Sequence, residues 1–112
     1  MQTLKLPWMH LRLILNNILL IVFLMTAIKR LVLDVLIPNN LPTDELTIKL
    51  SSARGVEGVD TLILEVERKV ETAKITVEGD NIDFAEVKKV LSDFGASLQS
   101  IDRVTAGKRI VG

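Results

Sequence analysis

The sequence contains no cysteine and no tyrosine, one histidine and one tryptophan. Without cysteine there are no disulfides, thiolate metal sites or thiol nucleophiles. His10 and Trp8 both lie near the start, so from Met25 to Gly112 there is no His, Cys, Trp or Tyr. General bases tuned near neutrality are most often histidine, and transition-metal sites are built mainly from His and Cys. The long region after Met25 therefore lacks the usual apparatus of catalysis, and the expectation is a protein that is not an enzyme. Acidic residues are missing from the other end: all 14 follow Met25, and the first 24 residues carry only Lys5 and Arg12 as charged side chains. From Met25 onward 12 basic residues face 14 acidic ones. A nucleic-acid binder would show a basic excess or stripe, and none is present.

What is there is an orderly alternation of elements. "IKRLVLDVLI" (28–37) reads as a strand ended by Pro38-Asn39-Asn40, with Leu31, Leu33 and Val35 on one face and Arg30, Val32 and Asp34 on the other. Pro42 opens a helix in which Leu46, Leu50 and Ala53 form a narrow apolar stripe, and Gly55 stops it. A second strand is expected at about 59–68, with Leu62, Leu64 and Val66 inward and Thr61, Ile63, Glu65 and Glu67 outward. A turn near Lys69–Thr72 leads to a third strand, "AKITVEG", where Ile75 and Val77 alternate with Lys74, Thr76 and Glu78.

Asp83 with Glu86 three residues on is an Asp variant of the capping box, flanked by an Ile82–Val87 staple. Phe84, Val87, Leu91 and Phe94 give the helix its buried stripe, Gly95 closes it, and a fourth strand follows at 97–104. "LSSARGVEGVD" (50–60) and "LSDFGASLQSID" (91–102) echo one another, each running from helix end through Gly to strand and Asp. The order βαββαβ implies an α+β, ferredoxin-like domain, a four-stranded antiparallel sheet with two helices on one face and the other face open.

"MTAIKRLVLDVLIPNN", "GVEGVDTLILEVERKVETAKITVEGDNIDFAEVKKVLSDFGA" and "SIDRVTAGKRIV" resemble domain-of-unknown-function family 211, a mainly archaeal group of small ferredoxin-like proteins, across residues 25–112. The resemblance implies the fold and a tendency to homo-oligomerise, and it implies no reaction. The middle segment is also similar to heavy-metal-associated domains, but the loop that would carry their Cys-x-x-Cys is Pro38-Asn39-Asn40-Leu41-Pro42. RNA-recognition domains share the strand order and stack bases on sheet aromatics; here the aromatics after Met25 are Phe84 and Phe94, both on the helix stripe. Acylphosphatases hold phosphate with an arginine and a backbone cradle in the first loop, where this chain has neither and where Asn39 and Asn40 suit a turn.

One polar constellation stands out. Asp34, Glu65, Glu67, Glu78 and Asp102 are candidates for a hard-cation site for Ca²⁺ or Mg²⁺ on the open face. The competing reading is a solvated face whose carboxylates pair with Arg30, Lys74 and Arg103. Val32, Leu36 and Ile63 place aliphatics on the same face and, with an uncovered edge strand, favour a homo-oligomer.

Residues 1–24 lie outside the domain pattern. The uninterrupted apolar stretch Ile18–Ile28 is about half of the roughly 20 residues a span requires, and Met25-Thr26-Ala27 lacks the small residue a signal-peptidase site needs at its −3 place. Three readings stand: sequence upstream of a start at Met25, a membrane-associated or signal segment, or an extra packed element. The expectation is a cytoplasmic homo-oligomer that binds a small ligand or cation in a regulatory or scaffold role. The alternatives are an enzyme using Lys or carboxylate groups at a subunit interface, and a membrane-tethered interaction domain.

Overall fold

The computed structural model describes the backbone of residues 7–111 and the side chains of residues 10–20 and 27–111. The elements in chain order are α1 (Pro7–Thr26), β1 (Ile28–Pro38), α2 (Thr43–Ser51), β2 (Val56–Val66), β3 (Val70–Gly79), α3 (Phe84–Asp93) and β4 (Ser97–Ala106). The four strands form one antiparallel sheet in the order β2-β3-β1-β4, the split-βαβ arrangement of a ferredoxin-like fold.

β1 is central because its sequence allows it to be. Leu31, Leu33, Val35 and Ile37 are all essentially buried against the helices, while Arg30, Val32, Asp34 and Leu36 on the open face are half-buried. The β1–β3 register matches core to core: Leu31 faces Val77, Leu33 faces Ile75 and Val35 faces Ala73. Leu46 and Leu50 of α2 and Val87, Val90 and Leu91 of α3 complete the core. Burying such side chains fully is worth about 1.5–3 kcal/mol each, which makes this layer the main source of stability.

α3 has the cap its sequence promises. Asp83 accepts from the Glu86 N–H at 3.1 Å. The reciprocal half of the box goes elsewhere: the Glu86 carboxylate accepts from the Arg54 N–H at 3.1 Å, and the Asp83 N–H donates to the Arg54 carbonyl at 3.0 Å. The first turn of α3 is thereby fastened to the loop that follows α2. The staple residues Ile82 and Val87 are both buried. Phe84 and Phe94, expected in the buried stripe, are only partly buried at its margins, and Val90 is buried instead. Lys88 sits over the Phe84 ring, 4.9 Å from its centroid.

β2 departs from expectation. Its inward residues are Val59, Thr61 and Ile63, opposite Val77, Ile75 and Ala73 of β3. Leu62, Leu64 and Val66 are exposed, at 54, 54 and 68 %. The strand has aliphatics on both faces, so alternation alone does not choose between them. Two contacts decide it. Val59 and Ile63 pack against the core, and the Thr47 hydroxyl of α2 donates to Thr61 Oγ1 at 2.8 Å. An irregularity between Ile63 and Glu65 then returns Glu65 to the open face, opposite Thr72.

The strands also run longer than the sequence pattern suggests: β2 begins at Val56, β3 at Val70 and β4 extends to Ala106. The β1–β4 ladder carries three register shifts, which the alternation of β4 does not reveal.

Candidate functional site

The open face of the sheet is where the sequence places its candidate site, and the structure spreads those residues out. Arg30 donates from Nε to Glu78 Oε2 at 3.0 Å, across the β1–β3 pair. Asp34 faces Lys74 on β3 and Ser100 on β4. Four residues along the strand separate the Asp34 and Glu78 positions, about 13 Å. Glu65 lies two strands from Asp34, at the level of Leu36 and Thr72. Glu67 is not on the sheet at all. It follows the end of β2, where its N–H donates to the Val70 carbonyl at 2.8 Å and its carbonyl accepts from Asn39 Nδ2 at 2.8 Å. Asp102 belongs to an irregular step of β4 and accepts from the Ser100 hydroxyl at 2.7 Å.

The five carboxylates are thus distributed over all four strands and a turn. Among the described residues no group of three or more His, Asp or Glu side chains is gathered closely enough to hold a metal ion. Opposite charges face each other instead: Glu78 with Arg30 and Asp34 with Lys74. Cross-strand pairs of this kind favour register at a few tenths of a kcal/mol each. Asn39 also has a structural task. Its N–H donates to the Lys69 carbonyl at 3.0 Å, so backbone and side chain together clasp the β2–β3 turn.

Two depressions lie beside these residues. One, of about 270 Å³, is lined by Gly58, Val59, Asp60, Thr76 and Glu78. The other, of about 390 Å³, follows the outer strand β4 and is lined by Arg103, Val104, Thr105, Ala106 and Val111. Both are surface hollows lacking the enclosed apolar walls that small-molecule sites generally have.

The apolar part of the surface is more distinctive. On the open face Val32 and Leu36 are half-buried and Leu62 is exposed. Ile63, expected among them, is on the helix side, packed against the core. Leu62, Leu64 and Val66 occupy one border strand, and Ile101 and Val104, exposed at 45 and 54 %, occupy the other. Sequence reasoning missed these residues because it assigned Leu62, Leu64 and Val66 to the interior. The signal that identifies them is Thr61, whose hydroxyl suits a hydrogen bond to a helix as well as it suits water.

The sequence pattern of a family described as "Uncharacterized ArCR", DUF211, matches residues 29–112. This chain is a DUF211 protein. The DUF211 match begins at the second residue of β1 and takes in every later element. Uncharacterized protein MJ0319 of Methanocaldococcus jannaschii is 37 % identical to the DUF211 chain over 87 residues, covering 78 % of this chain and 90 % of the relative. Neither the DUF211 description nor the relative's name states a reaction.

Proposed function

We propose that the DUF211 domain is an assembly module whose copies join through the border strand β2, and that the resulting homo-oligomer serves a scaffold or regulatory role. The observation that carries this reading is the border strand β2, on which Leu62, Leu64 and Val66 are all exposed while Thr61 bonds to α2. In a monomer Val59, Ile63 and Thr61 make their contacts with the core and α2, but three large aliphatics stay in water. A second copy pairing along the same edge removes them from water and satisfies the outward N–H and C=O groups of the strand. β2 is 11 residues long, with no proline or lysine to discourage such pairing. The composition from Met25 onward, without His, Cys, Tyr or Trp, supports an interaction role over a catalytic one.

The test is sedimentation velocity on the full chain and on a Leu62→Lys/Leu64→Lys variant. Both substitutions are at exposed positions outside the core, so the variant retains the wild-type circular dichroism. The wild type sediments as an oligomer and the variant as a monomer. A monomeric wild type at 100 µM or so, or a variant that keeps its oligomeric state, would overturn the proposal.

A further inference from the structure

The helix α1 is the largest feature that neither the fold nor the assembly reading uses. None of its described residues joins the core, and every residue from 10 to 20 is exposed. Leu11, Ile14, Leu15 and Ile18 recur at helical spacing and form one apolar stripe, each about half exposed at 54, 52, 49 and 49 %. Leu19, exposed at 65 %, continues the stripe, and Leu13 and Leu20, exposed at 62 and 56 %, lie outside it. A partner helix covers one stripe and leaves the rest of the helix in water. This breadth of apolar surface suits the acyl boundary of a lipid bilayer, into which a helix sinks from one side.

Charge points the same way. Residues 1–33 include Lys5, Arg12, Lys29 and Arg30 and not one Asp or Glu. Lys29 and Arg30 are engaged within the domain, with Asp80 and Glu78. Arg12 remains on the exposed helix, at the border of the apolar stripe beside Leu15. A cation and an apolar stripe on one helix, with no carboxylate nearby, complement an anionic lipid surface. Among the described residues no helix is long and apolar enough to cross a membrane. The binding at issue is to the headgroup layer and the acyl region beneath it, because Arg12 on the same helix keeps its charge at the surface.

We infer that α1 docks the DUF211 domain on anionic lipid bilayers. Its leucines and isoleucines enter the acyl region, and Arg12 stays at the level of the headgroups.

The experiment is flotation of the intact 112-residue chain with vesicles of phosphatidylcholine alone and of phosphatidylcholine with 30 % phosphatidylglycerol, in 0.1 M and 1 M salt. The chain floats with the anionic vesicles, and recovery falls in high salt as the headgroup attraction is screened. Ile14→Asp/Ile18→Asp lowers recovery by about tenfold or more, and Arg12→Glu lowers it on anionic vesicles alone. Both variants keep the wild-type melting temperature, because α1 lies outside the core. Absence of flotation with either vesicle, equal recovery on neutral and anionic vesicles, or full recovery of the Asp variant would each overturn the inference. So would an α1-dependent oligomer in solution that does not bind vesicles.

Discussion

Replacing Gly79 by alanine tests how the two helix–strand loops are held together. A Cβ built at Gly79 meets the Gly55 carbonyl oxygen at 1.9 Å and its carbon at 2.9 Å. An ordinary carbon–oxygen contact needs about 3.3 Å, so the loops must separate by more than an ångström, and the obstructing atoms are backbone. Three hydrogen bonds hold this crossing closed. The Asp80 N–H donates to the Gly55 carbonyl at 3.2 Å, the Asp83 N–H to the Arg54 carbonyl at 3.0 Å, and the Arg54 N–H to Glu86 Oε2 at 3.1 Å. Losing two or three of them costs about 2–3 kcal/mol, from which the stiffer unfolded chain returns about 0.5 kcal/mol. For a domain of this size that is a fall of about 8–16 °C in melting temperature. Gly58→Ala is the control, because a Cβ there meets nothing within 4 Å, and it changes stability by about 0.5 kcal/mol or less. Thermal denaturation followed by circular dichroism measures both. A Gly79→Ala protein melting within 3 °C or so of wild type, or a Gly58→Ala protein losing as much, would refute the reasoning.

Three further outcomes follow from the same contacts. The buried Lys29 donates from Nζ to Asp80 Oδ1 at 2.5 Å and to its carbonyl at 2.8 Å; Asp80→Ala therefore destabilises by about 1 kcal/mol, discounted because the carboxylate is largely exposed, while Lys29→Met is closer to neutral. Urea titration of the two single variants separates them. Leu33→Ala empties a fully buried site in the central strand and costs about 2.7–5 kcal/mol, read as a lower urea midpoint at unchanged slope. Millimolar Ca²⁺ or Mg²⁺ leaves the melting temperature unchanged, since Asp34, Glu65, Glu67, Glu78 and Asp102 are not gathered into one group; a rise that Asp34→Asn abolishes would restore the cation reading.

Much of the fold is legible from residues whose preferences agree. β1 alternates cleanly, Asp83 and Ile82 announce α3, and Gly95 closes α3 with a φ of +78°, whereas α2 already ends at Ser51 and Gly55, with a φ of +81°, turns the loop beyond it. The failures arise where two solutions have similar local cost. β2 has aliphatics on both faces, and only pairing with β3 and the Thr47–Thr61 hydrogen bond selects one. The capping box reads correctly at Asp83 and incorrectly at Glu86, because a carboxylate on a helix's first turn can satisfy any nearby N–H, and the loop at Arg54 is within reach. The acidic set looked like a site because sequence alternation reports the face of a sheet and not the distance along it. Asp34 and Glu78 share a face, yet strand register holds them apart.

The central place of β1 has a mechanical consequence. α1 runs into β1 with one residue between them, so a load applied through α1 is delivered along the axis of a strand bonded on both sides. Pulling it out requires shearing the β3 and β4 ladders together, with the Lys29–Asp80 pair as an added fastening where the strand begins. A load applied at the other end of the chain would meet β4 at the border and unzip it one bond at a time. Because Ile28 stands opposite Ala106, tension between the two chain ends opens the β1–β4 ladder from that edge, and the β1–β3 ladder holds longest.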